Sequence, residues 1–178
     1  MNVNEKRKLG RTDLLTGRLG ISSSYGAPAK CYEEAFEKGC NYFTWGTFIK
    51  GRSSEMKMAI KNIVKKGQRE NLILSFITYA HNAYLTERFF MKGLKSLGIE
   101  YADVLLLGYF TQKPNKKIID GALSLKQKGL IRYLGITSHN RKVYPELLKE
   151  KIFDIFHIRY NAVHRGAEQD IFPYLEDD

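Results

Sequence analysis

The chain has 178 residues, a mass of 20.5 kDa and a formal net charge of +10, with 43% hydrophobic and 12% aromatic residues. That length and composition predict one globular domain over residues 1–178, and no apolar run approaches the roughly 18 to 20 residues of a membrane helix. The N-terminus lacks the apolar stretch and small-residue cleavage site of a secretory signal, so the cytoplasm is the expected compartment, with no membrane partner.

Residues 5–9 and 13–16 flank Gly10-Arg11-Thr12 and predict a short hairpin that plugs one end of the fold. A first core strand is expected over 18–24. The helix over 30–38 turns Tyr32, Ala35 and Phe36 inward and closes at Gly39, and a second strand runs over 41–45. Ser53 or Ser54 is the expected cap of a helix carrying Met56, Ile60 and Ile63, which Gly67 ends. A third strand follows at 71–77. Thr86 is the expected cap of the next helix, where Phe90, Gly93, Leu94 and Leu97 share a face and Gly98 stops the winding.

Tyr101 to Phe110 holds an unbroken apolar run between an acidic start and a Gly-aromatic end, the pattern of a strand buried on both faces. The stripe Ile118, Ala122 and Leu125 predicts another helix, ended by Gly129, and Ile131 to Thr137 the fifth strand. A short helix over 141–149 accepts Pro145 in its first turn, and 153–160 is the sixth strand. Six strand-helix units in alternation predict a parallel sheet. Without a GxGxxG turn after the first strand, the pattern favours a parallel (β/α)8 TIM-barrel type with about six βα units present over a doubly wound sheet. Six units leave two strand edges uncovered, so the chain is expected to be part of a longer barrel, incomplete at its C-terminus and prone to self-association through the incomplete barrel edge.

Cys31 and Cys40 lack a metal-ligand or CxxC spacing and are expected to be reduced thiols. The basic residues are scattered, with Lys57, Lys61, Lys65 and Lys66 as the wet face of one helix, and no nucleic-acid module is recognisable. A basic chain with an anionic cofactor or small-molecule ligand fits the charge equally well. His81, His139, His157 and His164 match no metal motif. In a barrel the site lies at the C-terminal strand ends, which nominates Tyr25, Trp45, Tyr79, His81, Tyr109, His139, Tyr160 and Asn161. Tyr79 and Tyr109 either donate a proton or simply pack. Gly166, Ala167 and Arg165 at the last helix either grip an anion or form a plain capped turn.

The phrases KLGRTDL, TGRLG, GCNYF, GRSSE, LKSLGIEYADVLLL, KGLIRYLGITSHN and RYNAVHRGAE resemble the aldo-keto reductase superfamily in order and spacing, over nearly the whole chain. The resemblance implies a (β/α)8 barrel using NADP(H), in which a tyrosine acid, a lysine, an aspartate and a histidine reduce carbonyls. Carried onto this sequence, the aspartate position holds Thr44, the tyrosine position Phe48 or Ile49, the lysine position Ile77 and the histidine position Gly108. No catalytic residue is therefore assigned. The family's nicotinamide-amide ligands fall on Thr137, Ser138 and His157, the candidate cofactor-binding residues. The expected function is an aldo-keto-reductase-like domain of NADP-dependent oxidoreductase descent, a pseudoenzyme unable to reduce carbonyls as it stands. The alternative is a redox-inactive barrel that binds a small molecule or a protein.

Overall fold

The computed structural model describes residues 5–47 and 53–175. The predicted hairpin forms from β1 (Arg7–Lys8) and β2 (Leu15–Thr16), an antiparallel pair. Thr12 sets its turn: the hydroxyl donates to the Leu9 carbonyl at 2.6 Å and accepts from the Leu14 amide at 3.1 Å. Leu14 is thereby pushed among Ile73, Val104 and Ile155, an inner apolar layer that the hairpin seals from below.

Six parallel strands follow in sequence order: β3 (Gly20–Ser22), β4 (Tyr42–Trp45), β5 (Ile73–Thr78), β6 (Ala102–Leu107), β7 (Ile131–Thr137) and β8 (Ile155–His157). Between and after them lie α1 (Ala29–Glu37), α2 (Ser53–Lys65), α3 (Ala83–Leu97), α4 (Lys116–Gln127), α5 (Tyr144–Lys149) and α6 (Ala167–Asp170). The result is a partial, open (β/α) barrel with β3 and β8 as its two free edges. Among the described residues no helix is long and apolar enough to cross a membrane.

Side-chain alternation separates two packing layers. Phe43, Trp45, Leu74, Phe76, Leu105, Leu107, Leu134 and Ile136 join the helices in the larger core. At Gly93 of α3, a Cβ would stand 2.2 Å from the Phe76 ring, so the missing side chain is what lets this helix lie close on β5. The inner face is more polar and holds Tyr42, Thr44, Ser75, Thr137 and His157 at successive register positions. The Tyr42 hydroxyl lies 2.8 Å from His157 Nε2 although β5, β6 and β7 separate their strands. That contact across the interior shows that the sheet curls as a barrel wall does.

At the opposite end from the strand C-termini, the Asp103 carboxylate is 2% exposed. It accepts from the Leu74 amide at 2.9 Å, Arg69 at 3.0 Å and Arg132 at 3.2 Å. Arg132 also reaches Asp13 at 2.8 Å, tying the hairpin to β7.

Several expected boundaries shift. The first core strand is only Gly20–Ser22, because Ser22 accepts from the Ser24 amide and starts a 3-10 turn over Ser23–Tyr25. Thr86 does not cap α3. Asn82, three residues before Leu85, accepts that amide at 3.2 Å, while Thr86 lies buried inside the helix and donates to the Ala80 carbonyl. Ser53 is the first residue of α2, so the cap position falls outside the described residues. The helix expected over 141–149 splits into a 3-10 turn, Arg141–Val143, and α5. The sixth strand shrinks to Ile155–His157, since Asp154 turns its carboxylate back to the Leu134 amide and Lys126.

Candidate functional site

The C-terminal strand ends bring three of the expected rings together and leave the others apart. Tyr79, Tyr109 and His139, which follow β5, β6 and β7, form a ladder with centroid separations of 4.5 and 5.1 Å. The register carries Tyr79 level with Gly108 and Tyr109 level with Ser138, so each ring meets the next from one residue off, past the ends of the strands. Tyr109 has φ 59°, a left-handed backbone that a bulky residue adopts at a cost, and its ring is half-exposed. His81 makes a second stack with Phe110 at 4.2 Å.

Tyr25, by contrast, is 90% exposed and apart from the ladder. Trp45 is 2% exposed, faces the helices and donates its indole N–H to the Ser53 carbonyl, so it is a core residue and not a pocket one. Its parity with Phe43 already carries that signal. Tyr160 donates to Glu168 and packs on Phe172, and Asn161 accepts the Val163 and His164 amides within its own loop. Arg165 is paired with Glu168, while the Arg141 guanidinium covers Gly166 and reaches Asp170. α6 is only one turn long and has no side-chain cap, and these two ion pairs occupy the basic side chains beside it.

The positions aligned with the reducing residues are equally specific. Thr44 is buried between Ser22 and Ser75 in the sheet register, and Ile77 is buried beside Leu106. Phe48 and Ile49, the expected tyrosine position, lie outside the described residues. At Gly108 a Cβ would stand 2.3 Å from two atoms of the Tyr79 ring, so that ring fills the space any side chain there would need. Burial, with the neighbouring Tyr109 hydroxyl adding to it, pushes the Tyr79 phenol up to about 12. This is the wrong direction for an acid that must give up a proton near neutral pH.

Thr137 and His157 are register partners on β7 and β8, with Ser138 next in the chain. Burial pushes the His157 imidazole down to about 4, so it is neutral at physiological pH. Burial likewise pushes Tyr42 up to about 12, with Asp103 adding and the Ser75 hydroxyl opposing. A protonated Tyr42 and a neutral His157 therefore share the 2.8 Å hydrogen bond. Tyr144 of α5, which sequence reasoning missed, ties these strand ends: its hydroxyl accepts from the Ser138 amide and donates to the His157 carbonyl, both at 2.8 Å. The Ser138 hydroxyl accepts from the Asn140 amide at 2.9 Å. Thr137 lies beside the Tyr144 phenol. Ser138 and His157 are thus engaged with the chain's own groups. Among the described residues no cluster of three His, Cys, Asp or Glu side chains could hold a metal ion.

Two cavities lie along the free edges. One of about 220 Å³ runs beside β8 and is lined by Gly10, Leu148, Phe156 and Leu175, and one of about 360 Å³ beside β3 is lined by Leu19, Ile21, Ala35 and Cys40.

A sequence model of the Aldo/keto reductase family matches residues 16–178. The chain is 29% identical to "Uncharacterized oxidoreductase YqkF" of Bacillus subtilis (strain 168), an alignment covering 97% of this chain and 61% of that protein. The aldo-keto reductase AKR11C1 from Bacillus halodurans superposes with a TM-score of 0.78 at 26% identity, covering 95% of this chain and 59% of the other. The thermostable aldo-keto reductase Tm1743, solved with the inhibitor epalrestat, gives a TM-score of 0.76 at 20% identity and shares the fold, covering 93% of this chain and 66% of its own. The chain thus spans about three-fifths of the curated relative's length, as 61% of that protein is covered.

Proposed function

This chain belongs to the aldo/keto reductase family, and on that premise we propose that it is a barrel of oxidoreductase descent that does not reduce carbonyls with its own residues. The observation that carries this reading is the Tyr79 ring seated over Gly108. Hydride delivery to a carbonyl needs a poised proton donor beside a cation, and a group orienting the carbonyl. At the aligned positions stand a buried hydroxyl, Thr44, a buried hydrocarbon, Ile77, and a glycine whose side-chain space is occupied. Tyr79 is a poor replacement acid, since burial, with Tyr109 adding to it, raises its phenol to about 12.

In this reading Thr137, Ser138 and His157 retain only a weak hold on the nicotinamide end of NADP(H). Ser138 and His157 must surrender internal hydrogen bonds to bind it. Titration of the purified chain with NADPH, followed by fluorescence, should give a dissociation constant weaker than about a micromolar, roughly 8 kcal/mol of binding free energy. Aldehyde-dependent NADPH oxidation should be absent. Turnover that is first order in this protein and lost in Tyr79→Phe or Tyr109→Phe would overturn the proposal and identify a relocated acid.

A further inference from the structure

The basic residues are not evenly neutralised over the surface. On α1, α4 and the start of α5 the cations meet carboxylates: Lys30 with Glu34, Lys66 with Glu33 and Glu37, Lys116 with Asp120, and Lys113 with Glu146. Exposed cations without an ion pair among the described residues also occur elsewhere, as at Lys117, Lys142 and Lys149, but the outer face of α2 and α3 gathers five. Lys61 and Lys65 of α2 and Arg88, Lys92 and Lys95 of α3 are all exposed, and none forms an ion pair or side-chain hydrogen bond within the described residues. The two carboxylates on these helices point to the flanks. Glu55 accepts from the Ala29 amide on the α1 side, and Glu87 pairs with Lys128 on the α4 side.

Large apolar side chains share this face. Met58, Tyr84 and Met91 are between 42% and 66% exposed. The helical spacing interleaves them with the cations: Met58, Lys61 and Lys65 follow one another at three- and four-residue steps, as do Tyr84, Arg88, Met91 and Lys95. Because α2 and α3 follow adjacent strands and touch, their outer stripes form one surface.

We propose that the outer face of α2 and α3 docks on an anionic lipid bilayer, with the five cations at the headgroups and Met58, Tyr84 and Met91 reaching the acyl boundary. Cations interleaved with exposed apolar side chains on helices lying parallel to a surface are what such docking requires. Nucleic acid would also attract the charge. Four of the five cations are lysines, however, and binding to phosphates alone leaves Met58 and Met91 without a role. The expected absence of a membrane partner rested on the lack of a spanning helix, and docking on the surface needs none.

The test is co-sedimentation of the full chain with phosphatidylcholine vesicles containing phosphatidylserine, against vesicles of phosphatidylcholine alone. The chain should sediment only with the anionic vesicles and be released as salt approaches roughly 1 M, where screening shortens to about 3 Å. Each cation near the surface is worth about fivefold, so K92Q/K95Q should bind about 25-fold more weakly, while K142Q/K149Q on the far side should bind as the parent does. M58S/M91S should reduce the fraction that stays bound as salt rises. Equal binding to neutral and anionic vesicles, no binding to either, or equal losses in the two lysine pairs would overturn the proposal. Tighter binding to random-sequence duplex DNA than to anionic vesicles at the same salt would overturn it as well and assign the face to nucleic acid.

Discussion

Replacing His157 with glutamine should flatten the acid branch of the stability curve. The imidazole is pushed from 6.5 to about 4 by burial, so in this window the unfolded chain binds a proton that the folded chain refuses. Stability therefore rises with pH: the contribution is complete above 6.5 and falls away as pH drops toward 4. At about 1.36 kcal/mol per unit the whole window is worth roughly 3 kcal/mol, of which about 2 kcal/mol is lost by pH 5. Glutamine retains an acceptor for the Tyr42 hydroxyl across the interior, so His157→Gln should match the parent at pH 5 more closely than at pH 7.5. Urea denaturation at both pH values measures the two differences directly. If parent and variant lose stability in parallel within about 0.5 kcal/mol, the histidine is not held neutral and the reasoning about the inner face fails.

Other consequences of the packing are measurable in the same way. Gly93→Ala should gain up to about 1 kcal/mol of helix propensity yet destabilise overall by about 1 to 2 kcal/mol, because the Phe76 ring it strikes is hemmed in by Trp45 and Phe90. Urea midpoints at or above the parent's would contradict this. Asp103→Ala should cost about 3 kcal/mol by stranding the Leu74 amide and the largely buried Arg69, while Arg132 is exposed enough to find water. A thermal midpoint unchanged from the parent would show the network to be ornamental. The double substitution Gly108→His with Ile77→Lys should create no aldehyde-dependent NADPH oxidation, since Thr44 remains; measurable turnover would mean the register of these strands was misread. The apolar cavities beside β3 and β8 should make the isolated 178-residue chain associate, which gel filtration and dye binding would show. A monomer without dye binding would refute that.

Much of the fold is legible because strand and helix periods differ and each unit carries its own stop signal. The run Ala102–Leu107 and the stripe Ile118, Ala122 and Leu125 needed no long-range information. Where two local signals compete, the sequence alone does not choose: Asn82 and Thr86 are both good caps, and the contact of Thr86 with the Ala80 carbonyl decides between them. Contacts across the interior are harder still. Alternation places both Tyr42 and His157 inside, but that they meet depends on the curvature of three intervening strands. The tie made by Tyr144 depends similarly on where a six-residue helix lands.

The seating of Tyr79 over Gly108 also acts as a ratchet. A side chain placed at 108 meets an aromatic ring, and clearing the ring alone leaves a void beside Tyr109 and a bare backbone beneath it. Each single step away from the present arrangement is uphill, and only the joint change is free of collision, so the two positions are coupled far more strongly than their separation of 29 residues in the chain suggests. Any route by which this mouth gained an imidazole at that strand end runs through two simultaneous substitutions, or through an intermediate that folds less well than either end point.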